Sequence, residues 1–210
     1  MAIIYPLPLP AALQRIAIRP VNVVSFTQSP WTGQQQVQDH QGQYWTAALT
    51  IPPAPSRASA EKWINFLIKL KGSLGTFLLT NPMYATPQGF AATVAGDPVV
   101  DGGGQEGEVL NVQGLPISTT GYLLEGDFIQ LGTGITSRLH KVIEPVDSDA
   151  DGKAAISLWP RIRRGEAPVD SAAVVVADCA GAFRLVGPTE WAHEPGIYSQ
   201  AVELNAVEAF

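Results

Sequence analysis

Glycine and proline punctuate this chain so densely that only one stretch, Ser56 to Lys71, keeps a helical repeat. With 20 Gly and 17 Pro in 210 residues, the chain is rich in turns and poor in long helices. Within Ser56–Lys71, Trp63, Phe66 or Leu67, and Leu70 recur at i, i+3/i+4 and i+7 and form one apolar stripe. Ser56 or Ser59 is placed to cap the free N–H groups at the start. Glu61 reads as a first-turn acid, and Gly72 as the left-handed residue that ends the helix. An aromatic stripe at this spacing predicts core packing rather than a ligand box.

Strand patterns surround the helix. Residues 1–12 interleave Ile, Leu and Pro, which predicts an extended arm or edge segment lying on its own domain or on a neighbouring subunit. Leu13–Thr27 alternates β-branched residues and reads as one strand, or as two joined at Arg19-Pro20. Thr27–Thr50 carries Trp31 and Trp45 among many amides, with one acid, Asp39, and one histidine, His40. It reads as a hairpin with Gln41-Gly42 as its turn; Trp45 is expected inward on the helix and Trp31 nearer a partner. Amides form many hydrogen bonds but do no acid–base or nucleophilic work, so this stretch points to a contact surface. Gly75–Thr80 is a further short strand. From Thr93 the helical signal disappears, and short strand candidates follow at 108–112, 128–131, 138–142, 154–159, 173–177 and 182–186. These predict a small closed barrel or sandwich, for which a five-stranded OB-like barrel is the size-matched choice. The tail, 191–210, predicts a strand pair that returns to the first unit. The expected fold is therefore mainly β (α+β): residues 1–94 with 187–210 form a sheet-and-helix unit, and residues 95–186 form a β-barrel inserted into it.

The chemistry the chain can perform is bounded by what it lacks. Charged residues make up only 15% of the sequence, against roughly 25% in an average soluble domain. The net charge of -6 argues against recognition of nucleic acid, and Arg161, Arg163 and Arg164 read as a solvated turn. The single cysteine, Cys179, excludes an intrachain disulfide and reads as a semi-buried side chain at a strand end rather than a reactive thiol. No run of about 18 apolar residues predicts a membrane span. The prolines at 6, 8 and 10 and the lack of a basic start argue against a signal peptide. Asp147-Ser-Asp149-Ala-Asp151-Gly152 matches the first half of a calcium loop, but the twelfth position is Leu158, so a hairpin turn is the preferred reading over a weak calcium site. His40, His140 and His193 lie far apart without ligand spacing, and His140 reads as a solvated or hydrogen-bonded strand residue. No nucleophile elbow, phosphate loop or dinucleotide fingerprint is present, so neither an enzyme nor a cofactor is expected.

Several of these segments together resemble a known family. They are Ser29-Pro30-x-Thr32-Gly33-Gln34-Gln35-Gln36, Gly42-Gln43-x-Trp45, Ala60-Glu61-Lys62-Trp63-Ile64-x-Phe66-Leu67 and Gly75-Thr76-Phe77-Leu78-Leu79. Looser landmarks follow at Leu124-x-Gly126-Asp127-Phe128-Ile129, Arg138-Leu139-His140-Lys141-Val142 and Gly152-x-Ala154-x-Ile156-x-Leu158-Trp159-Pro160. This pattern is similar to distal-tail-type proteins of long-tailed bacteriophages and prophages. The resemblance implies a virion structural protein of the tail tip or baseplate, assembled in the host cytoplasm. It implies a β-sandwich-like belt domain and an OB-like or galectin-like second domain. The belt domains of such proteins form a ring, typically hexameric, between the tail tube protein and the hub proteins. The residues expected at the ring interface are Ile3, Ile4, Tyr5 and Leu7 of the arm and Trp31, Gln34, Gln35 and Gln36 of the hairpin. A carbohydrate- or receptor-binding module of a tail tip is the second reading; its mark would be an exposed aromatic with convergent polar groups at the barrel.

Overall fold

A computed structural model describes residues 4–8, 13–54, 56–187 and 201–210. The fold is mainly β, with one helix and a small barrel. The first sheet has the order β1-β6-β13-β14-β5-β2. Its strands are β1 (Ile4–Tyr5), β2 (Arg15–Val21), β5 (Tyr44–Ile51), β6 (Thr76–Thr80), β13 (Ala180–Leu185) and β14 (Val202–Glu208). β5 lies between β2 and β14 and alternates half-buried and buried residues along its whole length. Trp45, Ala47, Leu49 and Ile51 therefore share the core face. Pro20 is tolerated in β2 because β2 is an edge strand, where a missing N–H breaks no ladder on its open side.

α1 (Arg57–Leu70) has Ser56 as its N-cap; the hydroxyl accepts from the Ser59 N–H at 3.3 Å. Lys71 and Gly72 both take left-handed backbone, so the helix ends one residue earlier than the glycine alone predicts. Glu61 lies beyond the first turn and instead pairs with the exposed Arg57. Phe66, Leu67 and Leu70 enter the sheet core, with Phe66 edge-on to Phe77 at 5.9 Å. Trp63 is only half-buried at the rim, and Ile64 joins Ala54 and Ala60 in a small separate cluster.

The second sheet has the order β12-β9-β10-β11-β8-β7. It comprises β7 (Val99–Val100), β8 (Gly107–Gln113), β9 (Phe128–Leu131), β10 (Arg138–Val142), β11 (Lys153–Ile162) and β12 (Val174–Val175). A bridge between Val99 and Ala173 joins its two ends, so the sheet closes into a barrel. Its interior holds Val100, Leu110, Val112, Tyr122, Ile129, Val142, Ile156 and Leu158. The barrel has six strands rather than five, since Val99–Val100 is too short to read as a strand. The candidate at 182–186 is not a barrel strand: β13 pairs with β6 and β14 in the first sheet. The insertion expected over 95–186 thus ends in a strand of the first sheet, whose β6 and β13 flank the barrel in sequence. Of the tail, β14 pairs with β5 and β13; residues 188–200 lie outside the described part.

The hairpin is also displaced. Its strands are β3 (Val24–Gln28) and β4 (Gln35–Asp39), and its loop is Ser29–Gln34, closed by Ser29 N–H to Gln34 O at 2.9 Å. Gly33 adopts φ +68, which gives the Pro-Trp-Thr-Gly segment the stronger turn. Gln41-Gly42 is only the link to β5, which pairs with β2 and β14 instead of β4.

One face of the first sheet packs both α1 and the outer wall of the barrel. Trp45 makes the second contact. Its indole N–H donates to Leu139 O at 2.7 Å, and its ring meets Trp159 edge-on at 4.5 Å and Phe128 at 5.8 Å. Trp45 is thus inward as expected, but on the barrel and not on the helix. Replacing it by Phe removes the donor, leaves the Leu139 carbonyl buried without it, and opens a void. We expect Trp45→Phe to cost about 2–4 kcal/mol in denaturant unfolding. Trp63→Phe, at the rim, should cost less than half as much.

Candidate functional site

Two regions stand out, an exposed hairpin and a buried polar cluster at the barrel mouth. Every residue of β3 and β4 is exposed. In their register Phe26 faces Val37 across the ladder, with Val24 two residues on along the same face. Phe26 is 59% exposed, Val37 63%, and Trp31 at the tip 92%. A lone two-stranded hairpin is marginal in water, so this ribbon gains little from its own fold. Gln34, Gln35 and Gln36 are likewise exposed beside it.

The arm is placed differently. Ile4 and Tyr5 form β1 and pair in parallel with Thr76 and Phe77 of their own chain, and Tyr5 and Leu7 pack on the core. Ile3 lies outside the described residues. The structure therefore does not bring arm and hairpin together. β1 is one edge of the six-stranded sheet, and β2, from which the hairpin rises, is the other. Five inter-strand spacings separate them, roughly 24 Å.

At the barrel mouth, Arg138, His140, Arg163 and Glu166 line a cavity of about 460 Å³. β10 supplies Arg138 and His140, and Arg163 follows β11. Arg138 donates through Nε and Nη2 to Glu166 Oε1, at 3.0 and 2.8 Å, and through Nη1 to the Ile135 and Ser137 carbonyls. Its donors are committed to the protein. Arg163 donates to Gln43 O at 2.6 Å and stacks 3.3 Å over the Phe210 ring. Burial lowers its pKa, while the Glu166 and Glu208 carboxylates oppose the shift. Of the three arginines read as a solvated turn, only Arg164 is exposed. Arg163 is a tie between barrel and first sheet, and Arg161 sits in β11 with its N–H donating to Gln43 Oε1.

Two titratable groups here are shifted in opposite senses. His140 is buried, with Nδ1–H donating to Pro160 O at 2.7 Å; the tautomer follows because a carbonyl only accepts. Desolvation holds its pKa down at about 4, against the opposing pull of that hydrogen bond. Glu208, from β14, accepts from the Trp45 N–H at 3.1 Å. Desolvation pushes its carboxyl up to about 7, although that bond and the Arg138 and Arg163 charges favour the anion. Neither group was visible as part of a site in the sequence. Glu208 lies 68 positions from His140 and in the other sheet, and only the packing of the first sheet on the barrel brings both under the same arginine charges.

The remaining candidates resolve as structural. Cys179 is buried with Sγ 3.3 Å from the Phe128 and Val175 carbonyls, and burial pushes its thiol up to about 12, which removes thiolate reactivity at neutral pH. Asp149 accepts from the Asp151 and Lys153 N–H groups, and Asp147 from Gly121 N–H, so the Asp147–Gly152 segment is a self-capped turn. Among the described residues no group of three or more His, Cys, Asp or Glu is arranged to hold a metal ion. Nor, among those residues, is any helix long and apolar enough to cross a membrane. In sequence comparison no family model matches the chain, and no curated protein matches it.

The paired shifts fix the pH dependence. Glu208, raised in the fold, contributes stability below pH 4.5 that is lost as pH rises through about 7. His140, depressed in the fold, contributes stability above pH 6.5 that is lost as pH falls through about 4. Between these limits the two slopes oppose and nearly cancel. Glu208→Gln removes one of them. Its unfolding free energy relative to the parent should rise by about 3 kcal/mol from pH 4 to 7, while that of His140→Gln should fall by a similar amount. Parallel pH profiles for parent and variants would show that the two groups do not titrate this way.

Proposed function

We propose that this chain is a structural subunit that assembles with copies of itself, head to tail, into a ring in the tail tip or baseplate of a long-tailed bacteriophage. The observation that carries the self-assembly reading is the β3–β4 hairpin, whose strand residues are all exposed while Phe26, Val37 and Trp31 present apolar surface. Tryptophan anchors ringed by hydrogen-bonding side chains are what interfaces favour, and Gln34, Gln35 and Gln36 supply such a rim. The edges β1 and β2 support the head-to-tail geometry. A closing ring needs two different faces on opposite sides of a subunit, and opposite edges of one sheet supply them. In this reading Ile4, Tyr5 and Leu7 shape the β1 face, with Tyr5 and Leu7 also packed on their own core. The tail-tip setting, the hexameric count, and the tube and hub proteins as partners rest on the family resemblance of the hairpin, helix and Gly75–Leu79 segments.

The mass of the purified chain across a concentration series, followed by electron microscopy, tests the proposal. A defined oligomer with a central opening is expected. The double variant Phe26→Ser, Trp31→Ser should weaken association by at least about a hundredfold, as loss of aromatic anchors does. It should leave the unfolding midpoint nearly unchanged, because both side chains are exposed. A variant that assembles like its parent refutes the hairpin as the interface.

A further inference from the structure

A second surface lies apart from the hairpin, between the β2 edge of the first sheet and the outer wall of the barrel. It is a groove of about 340 Å³, at the small end of the range of ligand sites. Its floor is Trp45 and Phe128, both buried. Trp159 and Tyr84 stand steeply on that floor: Trp159 at 82° to Trp45 with centroids 4.5 Å apart, and Tyr84 at 72° to Phe128 with centroids 5.2 Å apart. Tyr84 is 45% exposed and Trp159 half-buried, so both rings can be reached from solvent.

The rim carries several polar groups. Asn22 Oδ1 accepts from the Trp159 indole N–H at 2.9 Å, which fixes that ring, and the Asn22 amide N–H groups have no partner among the described residues. Asn81 Oδ1 accepts from Met83 N–H at 3.2 Å, and its amide N–H groups likewise have no partner among the described residues. The Tyr84 hydroxyl has no hydrogen-bond partner among the described residues, and the Lys141 ammonium has no acid partner among them; it rides 5.6 Å from the Phe128 ring centre. The groove therefore offers amide donors, a charged ammonium and a phenol that can donate or accept, set around aromatic walls. A sugar presents an apolar C–H face to an aromatic ring and, at its edge, hydroxyls that both donate and accept. A carboxylate on that sugar would answer Lys141 with a charge-assisted bond.

We propose that this groove binds a short acidic saccharide, with a uronic-acid carboxylate on Lys141, sugar faces on Trp159 and Tyr84, and ring or hydroxyl oxygens on Asn22 and Asn81. The groove shares no residue with the hairpin, so the site does not depend on ring assembly.

The test is a titration of the full chain, followed by tryptophan fluorescence, since two of its tryptophans line the groove. The probes are an oligosaccharide of galacturonic acid, a galactose oligosaccharide of equal length, and a leucine–proline peptide. Saturable binding of the acidic sugar, at least about tenfold tighter than the neutral one, is expected. Lys141→Met should erase that tenfold preference while leaving neutral-sugar binding in place. Tyr84→Ala should weaken both sugars, with the unfolding midpoint of each variant checked against the parent. The same titration on the Phe26→Ser, Trp31→Ser variant should give unchanged binding, which separates this site from the assembly surface. No saturable binding of the acidic sugar, equal binding of the two sugars, or tighter binding of the peptide overturns the proposal.

Discussion

The contact between Trp45 and the barrel wall holds the two halves of this protein together. A tryptophan can join two layers because it buries a large apolar surface and still carries a donor that must be satisfied. Here the donor finds the Leu139 carbonyl, while the ring fills the space between Phe128 and Trp159. Other ties follow from its placement. Gln43, two residues earlier, accepts from the Arg161 N–H and from Arg163, and Asn22 holds the Trp159 indole. Sheet and barrel thus share one apolar cluster, which also receives α1.

The polar cluster at the barrel mouth shows how burial and charge compensate. Arg138 and Arg163 bring positive charge close to a buried carboxylate and a buried imidazole. At Glu208 desolvation outweighs that field and biases the carboxyl toward the protonated form; at His140 the field adds to desolvation, against the Pro160 hydrogen bond and the Glu166 charge, and biases the ring toward the neutral form. Both are thereby biased toward their uncharged forms, the economical state for groups taken out of water. Both arginines are held by dedicated partners, Glu166 for one and the Gln43 carbonyl with the Phe210 ring for the other. In the cavity beside them the Arg138 donors and His140 Nδ1 are already paired within the protein, whereas the groove lined by Trp159 and Tyr84 holds Lys141 with no acid partner among the described residues.

The two surfaces differ in shape and chemistry. The hairpin is an apolar and amide ribbon that the fold itself leaves uncovered, and it rises at the edge of the sheet opposite the arm. The groove is smaller and concave, with aromatic walls. A flat uncovered ribbon suits association with another copy of the chain; a concave slot with free donors suits a small polar ligand.

The sequence by itself determined the elements whose signals are local. The helix at 57–70 follows from its apolar spacing, the Ser56 cap and the glycine at its end. β8 to β11 and the β5 alternation follow from period-two patterns between turns. The mainly β class and the return of the tail to the first sheet were legible in the same way. Tertiary structure alone decided what depends on distant partners. Gln41-Gly42 and Pro30–Gly33 both carry turn signals, and β5 chose between them by pairing with β2 and β14 instead of β4. β13 has the same apolar texture as a barrel strand and was claimed by β6 and β14. Trp45 was legible as buried but not as the barrel's anchor. The Glu208–His140 cluster and the groove were illegible, because desolvation and convergence are properties of a three-dimensional environment that no run of neighbouring residues encodes.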